Sequence, residues 1–201
     1  PFFELHGDRL AREDPAMVGG LARLRDSGPR LLVLAAGVGS EGCLLSPARG
    51  TAVGAAGWRK AVRLLRLAAH FGLAVVTLVG NATLHAGRRE PPEALTAALG
   101  GTLEAMASLP VPVVAVRLGG GEELAVQSLS TSDRLLAPGS LATHLQEEGS
   151  SPDVTFADEE ELFSVLGQQL EDLTQTYAIQ GPLGRRKLLQ RRYVRVTRGR
   201  D

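Results

Sequence analysis

The apolar positions of this chain keep two rhythms in alternation. Met17 to Arg23 and Arg30 to Ala36 are apolar runs of strand length, and Arg25-Asp26-Ser27-Gly28-Pro29 between them has the residues of a tight turn, which predicts a β-hairpin. From Trp58 to His70 the period lengthens. Val62, Leu65 and Ala69 share one helical face, Arg59, Lys60, Arg63 and Arg66 lie on others, and Gly72 is a natural stop. Leu73 to Val79 and Val111 to Leu118 are continuous β-rich runs, as strands covered on both faces require. Between them Pro91-Pro92 opens a helix over Glu93 to Leu109, weakened at Gly100-Gly101 by about 1 kcal/mol per Gly relative to Ala. Gly119-Gly120-Gly121 then turns into a further helix-like segment ahead of the short run Arg134 to Ala137, while Gly37 to Ala56 reads as a Gly- and Ala-rich loop. Strands separated by helices of this length imply right-handed parallel crossovers and an α/β core.

The last quarter has a different texture. Ser150-Ser151-Pro152-Asp153 reads as a linker, which divides the chain into a core, residues 1–149, and a C-terminal part, residues 150–201. In that part Leu162, Leu166, Leu170, Leu173 and Tyr177 recur at helical spacing over Glu160 to Tyr177, with acids at the start where the helix dipole favours them. Lys+Arg and Asp+Glu balance at 22 each, yet the balance is uneven: Asp158 to Glu161 is acidic, and eight Lys or Arg fall in the last 17 residues. Only Tyr193 interleaves aromatic character with that basic tail, so a solvated or partner-facing end is expected rather than a nucleic-acid arm.

Charge also bounds the setting. Arg and Lys interrupt every long apolar stretch, so none reaches the roughly 20 residues a membrane helix needs, and the chain reads as soluble and without a membrane partner. The N-terminus shows neither a basic region nor an apolar run directing export. A lone Cys43 forms no internal disulfide and reads as a small buried residue, which makes a reducing cytoplasm the simplest home. No Cys or His cluster has zinc spacing and no phosphate loop of the G-x-x-x-x-G-K-[ST] kind is present, so neither a metal nor an ATP site is expected.

Specific motifs narrow the reading. Phe2-Phe3-Glu4-Leu5-His6-Gly7-Asp8-Arg9, followed by Asp14-Pro15-Ala16-Met17-Val18-Gly19-Gly20-Leu21-Ala22-Arg23-Leu24, resembles the opening of the catalytic core of the carboxyltransferase alpha subunit of bacterial acetyl-CoA carboxylase. There the motifs run F-x-E-L-H-G-D-R and D-P-A-I-V-G-G-L-A-R-L. Gly57 to Ala68 is similar to the family's G-Y-R-K-A-L-R-L-M-x-L-A, and Phe71 to Val79 to its F-G-L-P-V-V-T-F-V. Leu109 to Val116 and Asp133-Arg134 follow in register, and Leu188-Leu189-Gln190-Arg191-Arg192-Tyr193 resembles the family's closing L-L-x-x-R-Y. The resemblance implies a crotonase-like ββα superhelix with a C-terminal helical extension. It also implies carboxyl transfer from the carboxybiotin of a carrier protein to acetyl-CoA, giving malonyl-CoA, with no cofactor bound by the chain itself. The partners implied are a zinc-bearing beta-like subunit, further copies of the chain, and the biotin carboxyl carrier protein.

Departures from the family fall on the reactive loops. Such sites stabilise enolate-like and ureido oxyanions with backbone N–H groups from glycine turns at helix starts. Where the family reads G-E-G-G-S-G-G-A-L-A, this chain has Gly119-Gly120-Gly121-Glu122-Glu123-Leu124-Ala125-Val126-Gln127-Ser128. Leu124 and Ala125 replace paired glycines, and Glu122-Glu123 puts two carboxylates where anionic charge would develop. The family's D-T-P-G-A-Y-P-G is replaced by Gly80 to Gly87, and its N-F-G-M-P-x-P-E-G by Arg49 to Gly57; each keeps only its last Gly. His85 stands at the family's Tyr, either as a replacement acid or as a solvated loop residue. His6, Asp8 and Arg9 read as a buried polar network. The expectation is a carboxyltransferase homologue without independent catalysis, acting as a subunit of a complex. An active subunit with a rearranged site, a non-catalytic scaffold, and a nucleic-acid binder using the basic tail are the alternatives.

Overall fold

The computed structural model describes residues 2–5, 16–24, 28–38, 51–85 and 91–198. β1 (Phe2–Glu4) pairs antiparallel with β2 (Met17–Arg23), and β2 with β3 (Arg30–Ala36), Met17 facing Ala36 and Arg23 facing Arg30. The expected hairpin is therefore present. Its turn residues Arg25 to Ser27, and the motif residues His6, Asp8, Arg9 and Cys43, lie outside the described residues.

From β3 onward every neighbour is parallel. The chain passes through β4 (Thr51–Val53), α1 (Ala55–Phe71), β5 (Ala74–Val79), β6 (Ala82–Leu84), α2 (Pro92–Ser108) and β7 (Val113–Arg117). It continues through α3 (Glu123–Ser130), β8 (Arg134–Pro138), α4 (Gly139–Glu147), β9 (Val154–Phe156) and α5 (Glu159–Arg198). The large sheet has the order β1-β2-β3-β5-β7-β8-β9, and β4 and β6 form a small parallel sheet. Three short strands lie where none was expected: β4 in the stretch read as loop, β6 within the Gly80 to Gly87 loop, and β9 after the Ser150 to Asp153 segment, where it pairs with β8.

Alternation along the buried strands explains their unbroken apolar sequence. Leu32, Val75 and Val113 face α1 and α2, packing with Trp58, Leu65 and Met106. Their neighbours Leu31, Val76 and Val114 face Leu162, Leu166, Leu170 and Leu173 of α5. Each of those four leucines contributes about 2 kcal/mol by leaving water. α2 runs through Gly100-Gly101 without a break, and Thr102 Oγ1 donates to the Ala98 carbonyl at 2.9 Å and lies 3.3 Å from the Trp58 carbonyl of α1, where the two helices meet. Lys60 is buried in α1, and its Nζ reaches Glu4 Oε1 at 3.0 Å and the Met17 carbonyl at 3.1 Å, fixing the edge of the sheet to the helix.

The acids expected at the start of the long helix serve as its cap. Asp158 Oδ1 accepts from the Glu161 N–H at 2.9 Å, and Glu161 Oε2 accepts from the Ala157 N–H at 2.6 Å, a reciprocal arrangement worth about 1 kcal/mol. The helix continues far beyond Tyr177, and its basic part is not all solvated. Arg186 is exposed, but Arg192 is fully buried, which corrects the reading of the tail at that position. Its guanidinium pairs with both carboxylate oxygens of buried Asp133, Nε to Oδ1 at 2.7 Å, and donates to the carbonyls of Met106, Leu109 and Val111 and to Tyr177 Oη. Asp133 also accepts from the Val113 N–H at 2.9 Å and from the Tyr177 hydroxyl at 3.1 Å.

Tyr177 and Arg192 are 15 residues apart in one helix. A straight helix would separate them by about 22 Å, more than the two side chains together span, so α5 folds back between them.

Candidate functional site

Three loops meet at the C-terminal edge of the parallel strands β3, β5 and β7. Gly37 follows β3, Gly80-Asn81 follows β5 and Gly119 to Gly121 follows β7. Their backbones bond directly: Gly80 N–H to the Ala36 carbonyl at 2.9 Å, Asn81 N–H to that of Gly37 at 3.0 Å, and Leu118 N–H to that of Val79 at 2.7 Å. A Cβ on Gly80 would stand 2.1 Å from the Gly37 carbonyl oxygen, so no side chain fits there. At Gly121 both reasons for glycine hold. Its φ is +117°, and a Cβ would meet the Ala82 carbonyl at 2.7 Å.

The turn therefore lies against β6, with a bridge between Ala82 and Gly121. The residues after Gly121 decide its chemistry. The Glu122 N–H donates to the Ala82 carbonyl at 2.8 Å. The Glu122 carboxylate folds back onto the other loop, where Oε2 accepts from the Leu84 N–H at 2.7 Å. Leu124 is 52% exposed and Ala125 is fully buried in the core beside Val126 and Leu129. Of the substituted residues, Glu122 is thus the one that reaches into the loops, while Leu124 points outward. Gly119 is buried and Gly120 half-buried, and Glu123 is exposed.

His85 follows β6, its N–H donating to the Val53 carbonyl at 3.1 Å; its side chain is exposed, and it adjoins Leu84, on whose N–H Glu122 sits. Ala86 and Gly87 of the same loop, and Arg49-Gly50 of the loop before β4, lie outside the described residues. Among the described residues no cluster of His, Cys, Asp and Glu could hold a metal ion, and no helix is long and apolar enough to cross a membrane.

Sequence reasoning missed one charged group here. Arg117, the last residue of β7, is buried, and its Nε donates to the Gly119 carbonyl at 3.4 Å while Nη2 meets Glu148 Oε2 at 3.4 Å. Burial holds its pKa below the ordinary arginine value, and Glu148 only partly offsets that. The one signal is an arginine ending the run Val113-Val114-Ala115-Val116, which reads equally well as a strand leaving the core.

Comparison with known proteins places this arrangement. Residues 1–137 match the family model described as acetyl co-enzyme A carboxylase carboxyltransferase-like. The fused beta/alpha carboxyl transferase subunits of acetyl-coenzyme A carboxylase from Parafrankia sp. are 40% identical over 133 residues, 66% of this chain and 21% of theirs. The alpha subunit from Methylococcus capsulatus is 36% identical over 135 residues, 67% of this chain and 41% of its own. This chain thus spans between about a fifth and two-fifths of these relatives. Among solved structures, transcarboxylase 12S with hydrolysed methylmalonyl-coenzyme A bound superimposes with a TM-score of 0.66 at 13% identity, over 87% of this chain and 38% of that one. The fold is crotonase-like.

Proposed function

Because the chain belongs to the acetyl co-enzyme A carboxylase carboxyltransferase-like family, we propose that it is an alpha-type carboxyltransferase core that no longer transfers carboxyl groups by itself and acts as a subunit of a complex. In this reading the reaction of the complex moves a carboxyl group from carboxybiotin to the methyl carbon of acetyl-CoA, and the partner is a beta-like subunit. The fused beta/alpha relatives support that partner, since both halves occur there in one polypeptide. Residue 149 is kept as the proposed boundary between the core and a C-terminal part.

The observation that carries the proposal is Glu122. Oxyanion chemistry needs N–H donors left open for the charge that develops on oxygen. Here a carboxylate of the chain itself sits on the Leu84 N–H at 2.7 Å, and the Glu122 N–H is spent on Ala82. An oxyanion arriving at this turn meets a negative charge and two occupied donors.

The test rebuilds the family turn. A variant carrying Glu122→Gly, Glu123→Ser, Leu124→Gly and Ala125→Gly, mixed with a competent beta subunit and carboxybiotin, is expected to form malonyl-CoA about 100-fold faster than the unaltered chain, the scale of one oxyanion donor. The unaltered chain should stay at background. If it instead turns over, and turnover falls on Gly121→Val, the chain is an active enzyme and the proposal is wrong.

A further inference from the structure

The proposed function leaves Arg117 unused, and its surroundings are unlike those of a structural arginine. Its side chain is only 6% exposed, yet both of its contacts, to Gly119 and to Glu148, are at the long limit of hydrogen bonding. A guanidinium presents a fork of N–H groups that matches the two oxygens of a carboxylate. Glu148 meets that fork through one oxygen and one nitrogen. Its other oxygen lies 3.2 Å from His144 Nε2, and its side chain is 43% exposed. A buried cation is therefore compensated by a divided surface carboxylate, an arrangement in which removal from water outweighs the attraction gained.

Position points the same way. Arg117 faces Val79 in the parallel register, and beyond these two residues come Gly80-Asn81 and Gly119 to Gly121. Open α/β sheets bind ligands at this C-terminal edge. The contact between Arg117 Nε and Gly119 puts the guanidinium against the turn itself.

We propose that the end of β7 is a binding site for a small monocarboxylate, with Arg117 as its charged donor and Glu148 as the resident carboxylate that the ligand displaces. The ligand's chemistry is the chemistry already present, since the group on Arg117 is a carboxylate. Single charge is favoured because Glu122 and Glu123 stand at the start of α3, exposed, and repel a dianion more strongly than a monoanion. Displacing Glu148, whose side chain is 43% exposed, would free the guanidinium's fork for the ligand. The site needs neither carboxyl transfer nor a partner subunit, so its failure would leave the proposed function untouched.

The experiment follows backbone amide shifts of residues 119–122 in the full chain during titration with acetate, and separately with inorganic phosphate. Glu148→Ala should bind acetate about tenfold tighter than the unaltered chain, equivalent to about 1.4 kcal/mol. Arg117→Leu should show no saturable shift, and Arg117→Lys, which keeps the charge without the fork, should bind several-fold more weakly. If Arg117→Leu fails to fold by circular dichroism, Arg117→Lys carries the test alone. Acetate binding unchanged in Glu148→Ala or in Arg117→Lys overturns the proposal, and phosphate binding as tightly as acetate overturns the assignment to a carboxylate.

Discussion

Replacing Arg192 with Met is expected to destabilise the protein by about 3–5 kcal/mol, the cost of leaving one partner of a buried ion pair behind. The Asp133 carboxylate would keep only the Val113 N–H and the Tyr177 hydroxyl, while the carbonyls of Met106, Leu109 and Val111 would each lose the guanidinium as a donor. Methionine fills much of the same volume without restoring any of those bonds. Urea denaturation gives the loss directly, and a value under about 1 kcal/mol would show that the pair is not what holds the helix to the sheet. Adding Asp133→Asn to the Arg192→Met background should recover part of the loss, because the stranded charge is removed. Removing the residues after Pro182 should have a comparable effect on the core. That departs from the sequence reading of this end as solvated or partner-facing, because Arg192 is buried against the core.

The second large effect is expected at Gly80. A valine there places Cβ 2.1 Å from the Gly37 carbonyl oxygen, 2.8 Å from its carbonyl carbon and 3.3 Å from the Val38 nitrogen, and backbone cannot swing aside as a side chain tip can. The loops after β3 and β5 would have to part, breaking the bonds from Gly80 to Ala36 and from Asn81 to Gly37. A cost of about 3 kcal/mol is expected, at the upper end for overpacking. It is local in origin, so hydrogen exchange should report the loss first at residues 80–84 and at Glu122, whose bonds to Ala82 and Leu84 depend on that loop. Uniform loss of protection across the sheet, with these amides no worse than the rest, would count against a site built of loops packed backbone to backbone.

Much of this fold is legible in sequence because its periodicities are long enough to read. β2, β3, β5 and β7 are runs of five to seven residues with β-rich apolar composition, and α1 ends at Gly72 as read, although its buried face passes through Trp58, Ala61, Leu65 and Ala68 and takes in Lys60, while Val62 and Ala69 are only half-buried. β4, β6 and β9 are three residues each, too short for any period to show, and their pairing is set by neighbours distant in the chain. At the site the glycine turn announces itself, since Gly119 to Gly121 has little other use than close approach. The departures at Glu122 to Ala125 are also visible, but not their division of labour. Sequence gives Leu124 and Glu122 equal standing, and only their placement shows that one points to solvent while the other occupies a donor. Arg117 and Glu148 are 31 residues apart, and nothing local joins them.

Folding α5 back on itself has a kinetic consequence. The bonds of Arg192 to Met106, Leu109 and Val111 span 86, 83 and 81 residues, so the chain has to close very large loops before any of them can form. The hairpin of β2 and β3 asks for far less, because its cross-strand partners Arg23 and Arg30 are separated only by the short turn. Contacts that close late are absent from the transition state, and their loss leaves the folding rate nearly unchanged while speeding unfolding. The Arg192 pair is therefore expected to act as a brake on opening, so that Arg192→Met speeds unfolding and leaves the folding rate nearly unchanged in stopped-flow chevrons.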